Sequence, residues 1–167
     1  CENKKIEIVS HFDTDGITSA PIAIQTLKKL DKKFSIKILK NLDQKSIEEL
    51  EKDKLTLFLD LASGSLEQII KAGLKNVFII DHHQIPENSK EYLNQIEIIN
   101  PELHEKEKMS SSCLTYLFCK QLSPQIKDLA KLAVLGMIGD RLEREIDKLN
   151  NRILEDGEVK RKRGLLI

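Results

Sequence analysis

Several short apolar segments of this chain end at acidic residues, and this pattern constrains the fold more than any other feature. The clearest case is residues 76–80, an apolar run followed directly by Asp81-His82-His83. Such a run is typical of a buried parallel strand, and open α/β sheets bind ligands at the carboxyl ends of their strands. Three similar endings are His11-Phe12-Asp13-Thr14-Asp15-Gly16, Asp60 after residues 55–59, and Asp140 after residues 136–139. Acidic endings on so many segments of one small domain predict a metal site.

Predicted strands and helices alternate along most of the chain. We expect strands at residues 6–10, 34–39, 55–59, 77–80 and 96–99, and helices at residues 17–30, 43–52, 66–72, 112–121, 125–138 and 144–155. Strand–helix alternation followed by a run of helices is typical of an α/β fold. The prediction is a doubly wound, mostly parallel five-stranded sheet with helices on both faces, followed by a helical segment.

The composition narrows the classes of partner. The 27 Lys and Arg balance the 27 Asp and Glu, so any attraction to phosphate must be local. Aromatic residues make up 4% and Trp is absent, which leaves few side chains for stacking on nucleobases. Cys1, Cys113 and Cys119 lack metal-site spacing, and small thiols in a reducing cytosol are the simpler interpretation. Without an apolar stretch of about 20 residues or a signal peptide, we expect a soluble cytoplasmic protein without a membrane partner.

The first acidic segment has the residue types of a divalent-metal site. Residues two apart in an extended or turning loop point the same way, so His11, Asp13 and Asp15 can converge. One imidazole and two carboxylates suit Mn²⁺, Mg²⁺, Fe²⁺, Co²⁺ or Zn²⁺. Gly16 is expected to let the backbone turn tightly into a helix whose first turn, at residues 18–19, offers free N–H groups to a phosphate. The alternative is that the two carboxylates only cap this helix.

The remaining acidic positions also have structural alternatives. Asp60 could form a turn or cap the next helix, but Ser65 lies directly before that helix, with Glu67 close behind, and is the better cap. Asp81 is a natural hydrogen-bond partner for a metal-binding histidine of its own motif. Asp140 is either a plain helix end or a ligand. A carboxylate at a helix C-terminus is mildly unfavourable, which favours the ligand.

Together these residues resemble the motifs of the DHH phosphoesterase superfamily, which takes its name from the Asp-His-His tripeptide. The resemblance covers His11-x-Asp13-x-Asp15-Gly16 as the first motif, Asp60 as the second, Asp81-His82-His83 as the third and Gly139-Asp140 as the fourth. The order and the separations match over nearly the whole chain. Within the superfamily, residues 11–20 and 149–157 are most similar to archaeal RecJ-like single-strand exonucleases, including the GINS-associated nuclease.

The resemblance implies a dinuclear site, with Mn²⁺ as the first choice and Mg²⁺ as the alternative. The ligands of one ion would be His11, Asp13 and Asp60, and those of the other Asp15, Asp60, His82 and Asp140, with Asp60 as the bridge. Asp60 and Asp81 would serve the catalytic centre, where His83 would face the substrate phosphate or orient the site. Two cations about 3.5–4 Å apart can polarise the phosphoryl oxygen, share a hydroxide nucleophile and stabilise the leaving oxygen.

The resemblance also implies a wider assembly. Residues 1–156 would form the DHH catalytic domain, and residues 157–167 the start of a linker to a second, DHHA1-like domain supplied in cis or in trans. GINS and the replicative helicase would be further partners. Ser110-Ser111-Ser112 either approaches substrate or caps its helix, and the basic run at residues 160–163 either contacts phosphates or is solvated. His104 is expected at the solvated surface.

Three functions remain open at this point. The leading hypothesis is a metal-dependent, single-strand-specific exonuclease that acts on DNA or RNA, in replication or repair. The second is a hydrolase of short oligonucleotides or other small phosphates. Pyrophosphatases of the superfamily carry His-x-x-x-Asp-x-Asp in the first motif, whereas this chain has His-x-Asp-x-Asp, which disfavours pyrophosphate. The third is a replisome scaffold with decayed catalysis, which the presence of every expected ligand disfavours.

Overall fold

A parallel sheet forms the centre of the molecule. The computed structural model describes residues 5–104, 108–144, 146–162 and 165–166. Its five main strands are β1 (Ile6–His11), β2 (Phe34–Leu39), β3 (Leu55–Leu59), β4 (Asn76–Ile80) and β5 (Glu97–Ile99). They are all parallel, in the order β2-β1-β3-β4-β5. The predicted doubly wound fold is confirmed, with every strand of this sheet parallel.

Helices cover both faces of this sheet. They are α1 (Thr14–Lys29), α2 (Gln44–Glu48), α3 (Leu66–Lys71), α4 (Ser111–Leu122), α5 (Ala130–Gly139) and α6 (Lys148–Asp156). Ile8 faces a core shared with α1, α4, α5 and α6, whereas its neighbour Val9 faces a core shared with α2 and α3. Successive strand residues point to opposite faces, so burial of both requires a sheet covered on both sides. The strand order reverses between β1 and β3, which creates a crevice at their carboxyl ends.

The boundaries of α1 differ from the prediction, for a reason that matters to the site. The helix begins at Thr14 rather than at residue 17, because the Asp13 carboxylate caps it by accepting from the Gly16 N–H at 3.0 Å. Gly16 therefore lies inside the helix and is not a turn. A Cβ at this position would come within 2.4 Å of the His11 carbonyl oxygen, so glycine is needed for the close approach of α1 to β1.

Other boundaries shift for local reasons. α6 begins at Lys148 rather than at residue 144, because Asp147 caps it through the Asn150 N–H. α5 begins only at Ala130, after a short 3-10 turn. The 3-10 helix Glu87–Gln95 was not predicted, since its few apolar residues show no helical period. A short antiparallel pair, β6 (Arg161–Lys162) and β7 (Leu165–Leu166), was not predicted either.

The remaining sequence expectations concern single residues. Cys113 and Cys119 are buried, and burial raises the pKa of the first thiol to about 12 and of the second to about 11, so both are unreactive structural thiols. His104 is exposed, as expected. Cys1 and Arg163 lie outside the described residues. In the part of the chain that the structure describes, no helix has the length and apolar character needed to cross a membrane.

Candidate metal centre

The acidic and histidine side chains predicted from the sequence meet at the carboxyl edge of the sheet. His11 ends β1, Asp60 follows β3, and Asp81 follows β4. The ends of α1 and α5 complete the edge, because Asp15 lies in the first turn of α1 and Asp140 caps the C-terminus of α5. The edge is thus lined by residues from four separate segments of the chain.

Three of these side chains form what we call the His11 cluster: His11, Asp13 and Asp60. His11 Nδ1 lies 2.9 Å from Asp13 Oδ2 and 3.4 Å from Asp60 Oδ2. The other ring nitrogen, Nε2, donates to the Lys40 carbonyl oxygen at 3.1 Å. That hydrogen bond orients the ring so that Nδ1 faces the carboxylates, as in histidines that bind metals.

The neighbouring His82 cluster consists of Asp15, His82 and Asp140. His82 Nε2 lies 3.2 Å from Asp140 Oδ2 and 4.0 Å from Asp15 Oδ2. The same nitrogen is 3.5 Å from Asp60 Oδ1, whereas the Oδ2 atom of Asp60 faces His11. The two oxygens of Asp60 therefore point to different clusters, which is the geometry of a bridging carboxylate.

Asp60 is held in an unusual backbone conformation. Its φ is +60° and that of Ala62 is +94°, both in the left-handed region that non-glycine residues seldom occupy. The Asp60 N–H donates to the Ile80 carbonyl oxygen at 2.9 Å, which ties the turn to the end of β4. Ser65 occupies the N-cap position of the next helix, as predicted, but its side chain makes no capping hydrogen bond. Strain of this kind persists where the surrounding structure fixes it, and here it directs Asp60 into the crevice.

Several atoms of the centre lack hydrogen-bond partners. Among the described residues, His11 Nδ1, both Asp60 oxygens and Asp140 Oδ2 are buried without one. Burial, with the nearby Asp15 carboxylate, raises the pKa of Asp60 to about 11. The same two causes raise the pKa of Asp140 to about 7. The protein therefore supplies negative charge and lone pairs here without matching cations or donors, and this fits a bound divalent ion.

Asp81 has a different task from the other carboxylates. It accepts from His83 Nδ1 at 2.7 Å, from the His82 N–H at 2.8 Å and from the Ser63 N–H at 2.9 Å. Burial opposes ionisation, but the hydrogen bonds from His83 and Ser63 hold the pKa of Asp81 at about 2. The histidine that it orients is His83, not His82, and the hydrogen bond that His83 donates to Asp81 raises the pKa of His83.

Two predicted phosphate contacts are corrected by the structure. Because α1 begins at Thr14, Thr18 lies in its second turn, with its hydroxyl hydrogen-bonded to the Thr14 carbonyl at 2.8 Å, and residues 18–19 offer no free first-turn N–H groups. Ser110 caps α4 as its local alternative predicted. The next two N–H groups, of Ser111 and Ser112, donate to the Asp15 carboxylate rather than facing the open crevice.

Sequence reasoning missed several residues that support the centre. The Lys40 carbonyl orients His11, and Asn100 Nδ2 donates to the His83 carbonyl oxygen at 2.8 Å and to Ser63 Oγ at 3.0 Å. Asn100 directly follows β5, so its place at the carboxyl edge was available as a signal. A cavity of about 410 Å³ adjoins the centre and is lined by His11, Lys40, Asp60 and His83 among others. That volume lies in the range of small-molecule pockets.

Comparison with known proteins agrees with this arrangement. The N-terminal domain of the DHH family matches residues 5–137. An uncharacterized protein of Methanocaldococcus jannaschii is 31% identical over 160 residues, covering 90% of this chain and 36% of that protein. The chain thus spans about a third of the length of this relative.

Two solved structures have the same fold. The exonuclease RecJ bound to manganese gives a TM-score of 0.75 at 20% identity, with 93% of this chain and 43% of that chain covered. CDC45 from Entamoeba histolytica gives 0.68 at 15% identity, with 94% and 35% covered. At these identities the likeness establishes a RecJ-like fold alone. Since the family match spans residues 5–137, well over half of the chain, the chain belongs to the DHH family.

Proposed function

We propose that this chain is the catalytic domain of a divalent-metal-dependent phosphodiesterase that removes nucleotides from an end of single-stranded DNA or RNA. The observation that carries the proposal is the pair of clusters with Asp60 between them, its Oδ2 atom facing His11 and its Oδ1 atom facing His82. Their buried atoms without hydrogen-bond partners, together with the raised pKa of Asp60, support an ion in each cluster. The family match supports phosphoester chemistry, and the manganese of the RecJ structure supports Mn²⁺ as the first ion to test, with Mg²⁺ second.

The side chains would divide the work as follows. His11, Asp13 and Asp60 would hold one ion, and Asp15, His82, Asp140 and Asp60 the other. When bound, such ions polarise a phosphoryl oxygen and lower the pKa of a water. His83 is half exposed beside the cavity, and its raised pKa keeps more of the imidazole protonated near neutral pH. A protonated ring held by Asp81 can donate to a phosphate oxygen of the substrate.

A nucleotide substrate is favoured over an inorganic phosphate by Phe12. The chain has five Phe and two Tyr, all in described parts, and Phe12 is the one that is exposed, at 47%. It lies between two residues of the His11 cluster, its ring edge-on to His11 with centroids 5.0 Å apart. Lys40 Nζ lies 5.9 Å from the ring centroid. An exposed aromatic ring beside a phosphate site is suited to stacking on the terminal base.

A second candidate is a hydrolase of short oligonucleotides. It is favoured because, apart from Phe12 and the metal centre, the chain offers few side chains that could bind a long nucleic-acid strand. The net charge is zero, and Phe12 is the single exposed aromatic side chain. The cavity volume of about 410 Å³ lies towards the lower end of the range for small-molecule pockets. These features supply a site for an end but little grip on a long strand, so the two candidates differ in the length of substrate rather than in the chemistry.

The test is Mn²⁺-dependent product release from end-labelled single strands of DNA and RNA, with dinucleotides and pyrophosphate as comparison substrates. Asp60→Asn controls for contaminating nucleases. Mononucleotides released from long strands and lost in the variant would support the exonuclease. Turnover of dinucleotides alone would favour the second candidate. Two bound ions with no turnover of any substrate would overturn both.

The role of Phe12 is tested with strands whose terminal nucleotide is either normal or abasic. Phe12→Ala should lower kcat/KM on the normal end by about 5- to 150-fold, since base stacking contributes about 1–3 kcal/mol. The abasic strand should show no such loss, and Phe12→Tyr, which keeps the ring, should behave as the wild type. An equal loss on both ends would assign Phe12 to packing around His11 instead.

A further inference from the structure

The Asp15 carboxylate contacts two other helices, α4 and α5. Asp15 lies in α1, and its carboxylate is completely buried against the start of α4. The Ser111 N–H donates to Oδ2 at 2.5 Å and the Ser112 N–H to Oδ1 at 2.9 Å. Both oxygens are thus held by backbone donors of a residue pair almost a hundred positions away in the sequence. The start of α4 therefore fixes the direction in which this carboxylate faces His82.

The start of α4 is itself tied to α5. Ser110 Oγ and Ser112 Oγ are hydrogen-bonded to each other at 2.9 Å. Ser112 Oγ also donates to the Ala133 carbonyl oxygen of α5 at 3.1 Å. All three serines of this segment are completely buried, so water cannot replace these contacts. The two N–H groups that hold Asp15 are consequently locked to α5.

Gly136 brings α5 into direct contact with the same point. A Cβ at this position would lie 2.0 Å from Ser112 Oγ and 2.3 Å from Asp15 Oδ1, both far inside van der Waals contact. Asp140 lies one turn further along α5, and its N–H donates to the Gly136 carbonyl oxygen at 3.0 Å. The depth at which α5 packs on Asp15 therefore determines where the Asp140 carboxylate lies relative to Asp15 and His82.

We propose that Ser112 and Gly136 are positioning residues that set the separation of Asp15 and Asp140, and so make the His82 cluster competent to hold its divalent ion. Neither residue is a ligand. The His11 cluster does not depend on them, because its side chains come from β1, from the cap of α1 and from the end of β3. The inference rests on the proposed function only in requiring that each cluster holds an ion.

The consequence is selective loss of one ion. Substitution of a residue that orients a metal ligand costs about 10- to 100-fold in metal affinity. Gly136→Ala should therefore weaken one Mn²⁺ by that factor and leave the other unchanged. Ser112→Ala removes a hydrogen bond and keeps the N–H, so it should weaken the same ion by about fivefold. An effect confined to one of two ions is not expected from a general loss of packing.

The experiment measures Mn²⁺ binding to the full chain by equilibrium dialysis, with electron paramagnetic resonance of the free ion and no substrate present. Asp140→Asn, which removes a ligand of the His82 cluster, identifies the affected ion. Gly157→Ala is the matched control, since its Cβ would meet only ordinary contacts of 3.4 Å and longer, away from the centre. The proposal expects Gly136→Ala and Ser112→Ala to weaken the ion that Asp140→Asn weakens, and Gly157→Ala to weaken neither.

The outcomes separate this inference from the proposed function. Equal weakening of both ions, or no change in either, would overturn the positioning role while leaving the phosphodiesterase intact. Two normal ions without turnover of any substrate would overturn the proposed function alone. A wild-type chain that binds fewer than two ions would overturn both. If Gly136→Ala does not fold, the smaller substitution Ser112→Ala decides.

Discussion

Two groups of carboxylates contact α4, the metal centre at the start of the helix and Asp156 further along it. They differ in whether the protein supplies hydrogen-bond donors and cations for the carboxylate oxygens. At the metal centre, Asp60 and Asp140 have buried oxygens without partners among the described residues, and burial with neighbouring carboxylates raises both pKa values. At the other site, Asp156 of α6 accepts from the Tyr116 hydroxyl at 2.9 Å and from Lys120 Nζ. Lys127 Nζ lies 3.5 Å from its second oxygen. Although burial opposes ionisation, Lys120 and Tyr116 lower the pKa of Asp156.

The difference separates a carboxylate that stabilises the fold from one kept for a ligand. Asp156 joins α6 to α4 with its charge fully matched by the protein's own cations and donors. The centre leaves its carboxylates unmatched, so that they retain protons unless something else supplies the cation. A natural sequence retains such a cluster where function requires it. The pairing of a carboxylate, and not its burial, is therefore the informative observation.

The largest effect is expected at the shared carboxylate. Asp60→Asn keeps the shape of the side chain and removes its charge, so Mn²⁺-dependent turnover should fall by more than about 100-fold, beyond the usual cost of losing a residue that merely orients a ligand. The metal-free variant should be at least as stable as the wild type, because the amide is neutral at every pH, whereas Asp60 must retain a proton to be neutral. Mn²⁺-dependent product release from end-labelled strands measures the turnover, and thermal unfolding without Mn²⁺ measures the stability. A metal-free variant that is clearly less stable would mean that Asp60 supports the fold like Asp156.

Asp81→Asn should have the next largest effect. The amide cannot accept from all four N–H groups that Asp81 now serves, and one of its own N–H groups would face a donor. We expect kcat/KM to fall by about 10- to 100-fold with both ions retained. The pKa of His83 should also fall, since the Asp81 hydrogen bond is what raises it. Nuclear magnetic resonance titration of the metal-free imidazole measures this shift, and an unchanged value would remove His83 from the proposed mechanism.

The stability that the metal centre contributes and the stability that Asp156 contributes should change with pH in opposite directions. Asp60 and Asp140 have native pKa values above the unfolded value of about 4, so their contribution to metal-free stability is full below pH 4 and is lost as pH rises, for Asp140 through about 7. Asp156 has a lowered native pKa, so its contribution is full above about pH 4 and is lost as pH falls further. The metal-free chain should therefore unfold more readily at pH 8 than at pH 5.5.

Adding Mn²⁺ should reverse that trend, because the ion displaces the proton that the raised pKa of Asp60 retains at neutral pH. Calorimetric titration in buffers of different ionisation enthalpy counts the released protons. Release of about one proton per chain at pH 7 is the expectation. No release would mean that the cluster is already ionised without metal, and that its charge is matched after all.

The sequence alone predicted that the acidic residues and histidines lie at one edge of the sheet, because parallel strands all have their carboxyl ends at the same edge. Asp60 and His82 could therefore be placed together without knowledge of any contact between them. The same logic brought in His11 and Asp13 from β1. The structure confirms that these residues lie together, and metal binding by them stays a prediction.

What the sequence could not predict were contacts between distant segments. Nothing near Asp15 indicates that its carboxylate is held by Ser111 and Ser112, because those donors are backbone groups. Gly16 was assigned to a turn from its conformational freedom, whereas its actual reason is the closeness of His11 across the β1–α1 packing. Such requirements depend on how elements pack, and local sequence patterns do not contain that information.

The smallest effect should come from the matched site. Asp156→Asn leaves the Lys120 ammonium without its charged partner and should lower the free energy of unfolding by about 1–3 kcal/mol. Urea unfolding of the metal-free chain measures the loss, and Mn²⁺ affinity should be unchanged. Both sites use α4: Ser111 and Ser112 at its start hold Asp15, and Tyr116 and Lys120 further along hold Asp156. The Mn²⁺ affinity of this variant therefore also tests whether a change at one site is transmitted along the helix to the other. A change in Mn²⁺ affinity of more than about twofold would show that the two sites are coupled through α4, and that neither can be interpreted alone.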